Sequence, residues 1–133
     1  MRAVDTNILA RYYLQDDPEQ SRIATAIVQA GALFVPKTVA LELAWVLRSV
    51  AAQPAHKVTA CLAHLAGLAG VTMEDREQIE AALRYSAKGI EFADALHLAA
   101  SEECSEFLTF DDRRYARRAA SRGLKPKVRV PTE

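Results

Sequence analysis

Four acidic residues are distinguished by where they fall in the pattern: Asp5, Glu42, Asp94 and Asp111. Asp5 follows the short apolar step Arg2-Ala3-Val4 and Asp111 follows Phe107-Leu108-Thr109, so both stand where a strand hands over to a helix. Asp94 falls in the first turn of a helical pattern, and Glu42 is the only charge in the apolar run from Val39 to Leu47. A carboxylate at a helix start has an ordinary role, accepting from free backbone N–H groups and favouring the helix dipole. Glu42 has no such role. Buried unpaired it would be costly, so it needs a cationic partner, a metal ion or an open cleft. Taken as a set, four carboxylates are hard oxygen ligands of the kind that hold Mg²⁺ or Mn²⁺. Such ions neutralise phosphate charge and activate water, which is what phosphodiester hydrolysis requires. His56, His64, His97, Cys61 and Cys104 are scattered without metal-ligand spacing, which argues against zinc.

The elements that must carry these residues follow from periodicity and punctuation. A strand ends at Asp5 and feeds a helix marked by Ile8, Leu9, Tyr12 and Tyr13. Asp16-Asp17-Pro18 opens a second helix with Ile23, Ala24, Ile27 and Val28 on one face, ended by Gly31. Leu33-Phe34-Val35 reads as a strand, and Thr38 as the cap of a helix that carries Glu42 and is apolar nearly all round, hence buried. Further helices are expected from about Pro54 to Leu68, from Asp75 to Gly89, and over Ala93 to Glu103. Strands are expected at Val71 to Met73 and Phe107 to Thr109. A last, strongly basic helix begins at Asp111-Asp112, and Val128 to Val130 is a candidate edge strand. Strands alternating with helices predict an α/β sandwich, a mostly parallel sheet flanked by helices. In such a sheet ligands bind outside the carboxyl ends of the strands, where Asp5 and Asp111 lie, and Glu42 and Asp94 can converge on the same edge.

A chain of 133 residues suits one domain, 1–133, with no repeat, linker or low-complexity segment. It is 50% hydrophobic and 26% charged, far from the composition of disorder. Its formal net charge of zero hides two opposed regions: residues 1–112 hold 16 acids and 9 bases, residues 113–133 one acid and 8 bases. A basic tail is ordinarily a solvated surface, and an acidic site beside it makes contact with a polyanion attractive. Two cysteines in helical patterns imply reduced thiols. Asp5 and Arg11 interrupt any signal-peptide core, and the mildly apolar stretch Val58 to Met73 is too short and too polar for a membrane span, so a cytoplasmic location is expected.

Four segments occur in a particular order: Asp5-Thr6-Asn7; Glu42 within Leu41-Glu42-Leu43-Ala44-Trp45-Val46-Leu47; Asp94-Ala95-Leu96-His97-Leu98-Ala99-Ala100; and Leu108-Thr109-Phe110-Asp111. In that order they resemble the PIN-domain family, specifically the VapC-type toxins of bacterial and archaeal toxin-antitoxin pairs, over essentially the whole chain. The resemblance implies a PIN-like fold and a metal-dependent endoribonuclease acting on tRNA or rRNA with a 5′-phosphate product. Asp5, Glu42, Asp94 and Asp111 would ligate one or two Mg²⁺ or Mn²⁺ ions. Thr6 or Asn7 would steady the first carboxylate and Thr109 the last, with Asp112 placed to substitute or assist. Arg113, Arg114, Arg117, Arg118 and Arg122, with Lys125 and Lys127, would hold the RNA backbone. His97, three residues after Asp94, is read as a packed histidine rather than a site residue. The family likeness also implies a homodimer silenced by a small antitoxin that inserts a basic side chain into the acidic pocket. DNA would be met only indirectly, through the antitoxin. Leu9, Tyr12, Tyr13 and Leu14 are either the groove for that antitoxin or simply core.

Two rival readings differ in class. A phosphoaspartyl hydrolase or receiver-like domain would use Asp5 or the Asp111-Asp112 pair covalently, but the Asp-x-Asp signature is missing. A non-catalytic PIN-like module would bind RNA or protein without cutting. Metal-dependent cleavage separates these readings.

Overall fold

The computed structural model describes residues 1–132; Glu133, the one acid of the basic tail, lies outside the described residues. Three short parallel strands, β1 (Arg2–Ala3), β2 (Leu33–Val35) and β3 (Val71–Met73), form a sheet in that order. Two more, β4 (Glu106–Leu108) and β5 (Lys127–Arg129), pair in parallel with Phe107 opposite Val128. Among the described residues, seven α-helices connect and flank them: α1 (Thr6–Leu14), α2 (Pro18–Ala30), α3 (Lys37–Trp45), α4 (Ala55–Gly67), α5 (Arg76–Ala87), α6 (Phe92–Ala100) and α7 (Arg117–Ser121). The α/β sandwich expected from the alternation is the architecture found. Its core gathers fully buried Leu9, Leu33, Val35, Leu43, Leu47, Leu62, Leu65, Ile79 and Leu98, contributed by strands and by one face of each major helix.

Parallel strands need crossovers, so each strand's carboxyl end opens toward the helix that follows it. β1 leads through Asp5 into α1, and β2 leads through Pro36 into α3, on the same edge of the sheet. The sheet's opposite edge depends on a backbone approach at two glycines. A Cβ on Gly70 would stand 2.7 Å from the Gly31 Cα, and Gly31 itself has a φ of +71°. Only glycine at both positions lets α2 end against the turn that enters β3, where the Leu33 N–H donates to the Gly70 carbonyl at 2.9 Å.

Several expectations need correction. Thr38 does not cap α3: Pro36 occupies the cap position without a side-chain acceptor, and the Lys37 N–H is taken instead by Glu74 Oε1 at 2.7 Å, from just beyond β3. Nor is α3 buried all round. Trp45 is 60% exposed, and the helix widens after it into a π-type turn, Val46–Val50. The helix expected to reach Glu103 stops at Ala100, and the one expected from Asp111-Asp112 opens as a second π-type turn, Asp112–Ala116, before the short α7. π-type turns are uncommon and concentrate near functional sites. Among the described residues, no helix is long and apolar enough to cross a membrane.

Candidate functional site

Asp5 caps α1, its Oδ1 accepting from the Thr6 N–H at 2.7 Å. Buried Thr6 then donates its own hydroxyl to Glu42 Oε1, so one threonine ties the first carboxylate to the second across α1 and α3. The Thr6 N–H thus meets the first acid and its hydroxyl the second. Asn7 is exposed on the first turn of α1. Glu42 itself is exposed, which answers how a charge is tolerated in so apolar a helix: it faces out along the edge rather than into the core.

α3 packs against α6, whose first turn carries Asp94, half-buried. Burial pushes the Asp94 carboxyl above its ordinary value; a nearby His97 charge pulls it down, while Asp111 and Glu91 push it up. Asp94 and Asp111 are therefore neighbours in charge. His97, expected to be packed, is exposed and acts on Asp94 electrostatically. Asp111 caps the turn that follows β4, accepting from the Arg114 N–H at 3.1 Å, and its own N–H donates to Thr109 Oγ1 at 3.1 Å. Thr109 thus holds the last acid through its backbone.

A residue without any local signature joins the two halves of this pair. Tyr115, 2% exposed, donates its hydroxyl to the Asp94 backbone carbonyl at 2.9 Å and packs its ring 5.4 Å from that of Phe107. Burial, helped by the Asp94 charge, pushes its phenol well above the usual range, so it remains a donor.

None of the four acids has a cationic side chain within ion-pair distance among the described residues, whereas Asp16, Glu19, Asp75, Glu80, Glu91, Glu106 and Asp112 all do. The distinction bears on the adjacent pair at the end of β4. Asp112 is held by Arg117 at 2.6 Å, leaving Asp111 as the unpaired acid beside Asp94. Among the described residues, however, no three His, Cys, Asp or Glu side chains are gathered as closely as a metal ion requires. The acids stand as two pairs, Asp5 and Glu42 joined through Thr6, and Asp94 and Asp111 near enough to feel each other's charge. As a donor set, four unpaired carboxylates on adjoining elements suit a hard divalent cation and no softer one.

The basic tail does not act as one patch. Arg114 and Arg118 line a groove of about 1050 Å³ that also includes Trp45, Arg48 and the start of α6. Arg117 is spent on Asp112, Arg122 donates to the Lys88 carbonyl at 3.2 Å, and Arg113 is exposed outside the groove. Leu9, one of the residues considered for a partner groove, is fully buried, and Tyr12, Tyr13 and Leu14 are half-buried against the core. Tyr12 and Tyr13 pack with His64, which bonds the Tyr13 hydroxyl at 2.9 Å.

With this geometry in hand, the family comparison is decisive: the PIN domain model matches residues 2–121. The chain belongs to the PIN domain family. No curated protein matched it. PIN domains are usually nucleases that act on RNA and generally use divalent metal ions. The PIN match spans all four acids as well as Tyr115 and Trp45. Sequence reasoning passed over these last two. Trp45 was within reach, since it lies three residues after Glu42 and so on a neighbouring strip of the same helix. Tyr115 was not.

Proposed function

We propose that this PIN domain is a metal-dependent endoribonuclease whose site comprises Asp5, Glu42, Asp94 and Asp111. The observation that carries the reading is that these four acids, on adjoining elements, all lack cationic partners among the described residues, whereas seven of the other twelve described acids have one. Asp94 is partly buried beside the like charge of Asp111, which disfavours its ionised form, while Asp5, Glu42 and Asp111 are exposed; a cation among them would relieve that repulsion. Mg²⁺ or Mn²⁺, one ion or two, would neutralise charge on the scissile phosphate and activate the attacking water. The chain's own contribution is positional. Thr6 couples Asp5 to Glu42, Thr109 and the Arg114 N–H fix Asp111, and Tyr115 ties the Asp111 turn to Asp94. Water adds at phosphorus as the P–O3′ bond breaks, leaving the phosphate on the 5′ end of the downstream product.

Within that reading the chain is the toxin of a type II toxin-antitoxin pair, VapC-like, working as a homodimer on tRNA or rRNA in the cytoplasm. A small antitoxin would silence it by placing a basic side chain among the unpaired acids. The test is incubation of purified protein with total cellular RNA and Mg²⁺ or Mn²⁺, with EDTA and Asp94→Asn as controls. Discrete products lost in both controls are expected, and end-sequencing then names the target. If the protein is isolated from its native source without a small basic-tailed companion, the toxin role fails while the nuclease stands.

A second reading, a non-catalytic PIN-like module that binds RNA or protein, is favoured by one observation: the acids are paired rather than gathered as a set of three. Absence of cleavage by folded, antitoxin-free protein would select it.

A further inference from the structure

The groove beside the acids has a chemistry the four carboxylates do not explain. Its walls come from the end of α3, the start of α4, the end of α5 and the start of α6, and it encloses about 1050 Å³. Trp45, the only tryptophan in the chain, lines it while 60% exposed, and Val50, just beyond in the π-type turn, is 66% exposed. A large aromatic left open on the outer face of α3 forgoes the burial that tryptophan normally finds. Around it stand Arg48, Arg114 and Arg118, with Glu91 the only acid among the lining residues. Arg114 has no carboxylate partner among the described residues, and Arg118 is tied only to the Gly89 carbonyl at 2.9 Å, so no acid pairs with either. Arg48 meets Glu91 only at 3.4 Å. In a chain of zero net charge this is a local cationic excess facing an indole.

The groove also has a direction. Glu91, Phe92 and Ala93 in its wall run directly into Asp94, and Arg114 donates its backbone N–H to Asp111. The lining stops at Ala93 and Arg114, one residue short of Asp94 and at the donor to Asp111, so a polyanion lying in the groove would meet the acidic pair beyond that end. Aromatic faces beside arginines are how proteins hold unpaired nucleotides, with bases stacking and phosphates pairing. We propose that the Trp45 end of the groove is a nucleotide subsite, in which an unpaired base of the RNA stacks on the indole while Arg114 and Arg118 hold the phosphates leading to Asp94 and Asp111. The subsite takes its RNA from the nuclease reading above, and it adds a requirement for single-stranded substrate at a named residue.

The lone tryptophan makes the test direct. The Asp94→Asn variant, which prevents turnover, is titrated with a ten-nucleotide oligouridylate and with an RNA duplex of equal length, following both tryptophan emission and the anisotropy of labelled RNA. Saturable quenching by the single strand is expected at the concentrations where anisotropy changes, with little from the duplex. Adding Trp45→Ala is expected to weaken single-strand binding about tenfold, and Trp45→Phe to restore most of it. In otherwise wild-type protein, Trp45→Ala is expected to raise KM with kcat unchanged. Binding without quenching, equal quenching by duplex, or unchanged affinity in Trp45→Ala overturns the subsite and leaves cleavage untouched. Quenching with full Trp45 dependence but no cleavage by wild-type protein keeps the subsite and refutes the nuclease. If sedimentation instead shows self-association that Trp45→Ala abolishes, with no RNA bound, the face joins two copies of the chain and the proposal is wrong.

Discussion

Replacing Tyr115 with phenylalanine removes one oxygen atom and tests whether the two halves of the Asp94–Asp111 pair must be held together. The ring is almost wholly buried and packs on Phe107, so Phe fills the same space without a cavity. What is lost is the 2.9 Å hydrogen bond to the Asp94 carbonyl. That carbonyl sits in the first turn of α6 and keeps its helical acceptor role, so the net cost to stability is that of one buried neutral hydrogen bond, about 1 kcal/mol. For a chain of this length that lowers Tm by about 4 °C. The effect on cleavage is expected to be larger than the effect on stability. Tyr115 lies on the turn capped by Asp111, and loosening that turn lets the proposed ligands drift; a displacement near 1 Å at a reacting centre can cost about 100-fold. Single-turnover cleavage well below Tm, together with RNA anisotropy, separates the outcomes: the rate is expected to fall at least tenfold while affinity holds. Wild-type cleavage in a variant whose Tm has fallen by the expected amount would show that the bond supports the fold alone, and the positioning argument would be refuted.

Three further expectations follow from other parts of the molecule. Gly70→Ala sets a Cβ against the Gly31 backbone, an overpacking worth about 1–3 kcal/mol, so thermal melts should show Tm lowered by about 4 °C or more while RNA affinity per folded molecule is unchanged. The Glu106 carboxyl is held below its usual range by its hydrogen bonds to Arg129, which join β4 to β5. A lowered folded value gives stability that is present above the unfolded glutamate value and lost as pH falls through the folded one. Glu106→Gln should therefore melt earlier than wild type near neutrality and match it in strong acid; a gap that is constant with pH would contradict the cause given. Removing both Arg114 and Arg118 charges should flatten the salt dependence of single-strand binding by about 1.4 in the log–log slope, whereas neutralising Arg117, already paired with Asp112, should change it less.

The fold was legible where local rules and tertiary packing agree. β2 and β3 read directly from Leu33-Phe34-Val35 and Val71 to Met73, and Asp17-Pro18 opens α2 as a capping aspartate before a first-turn proline should. Legibility failed where a distant residue supplies what a local one was expected to. Thr38 is a good cap by type, but the helix already begins at Lys37 with Pro36 in the cap position, and Glu74, far along the chain, accepts the Lys37 N–H. The two π-type turns, Val46–Val50 and Asp112–Ala116, were invisible because the residue types of a segment do not distinguish winding by 3.6 residues from a wider turn. At the candidate site, Asp5 and Asp111 stand at the element junctions where the sequence put them, Asp94 in the first turn of α6 and Glu42 within α3. Their pairing was not legible: that Thr6 joins Asp5 to Glu42, that Arg117 takes Asp112 and so leaves Asp111 unpaired, and that Tyr115 reaches Asp94 are contacts between elements that no spacing encodes.

Titration of Mn²⁺ into the purified protein, followed by calorimetry and by the loss of the free-ion resonance, tests most directly whether the unpaired acids form one cation site. Saturable uptake is expected in wild type and in Asp112→Asn, and at least about tenfold weaker uptake in Asp94→Asn and in Asp111→Asn, each variant confirmed as folded by its melt. Equal uptake by wild type and Asp94→Asn, or loss in Asp112→Asn alone, would contradict the site as assigned.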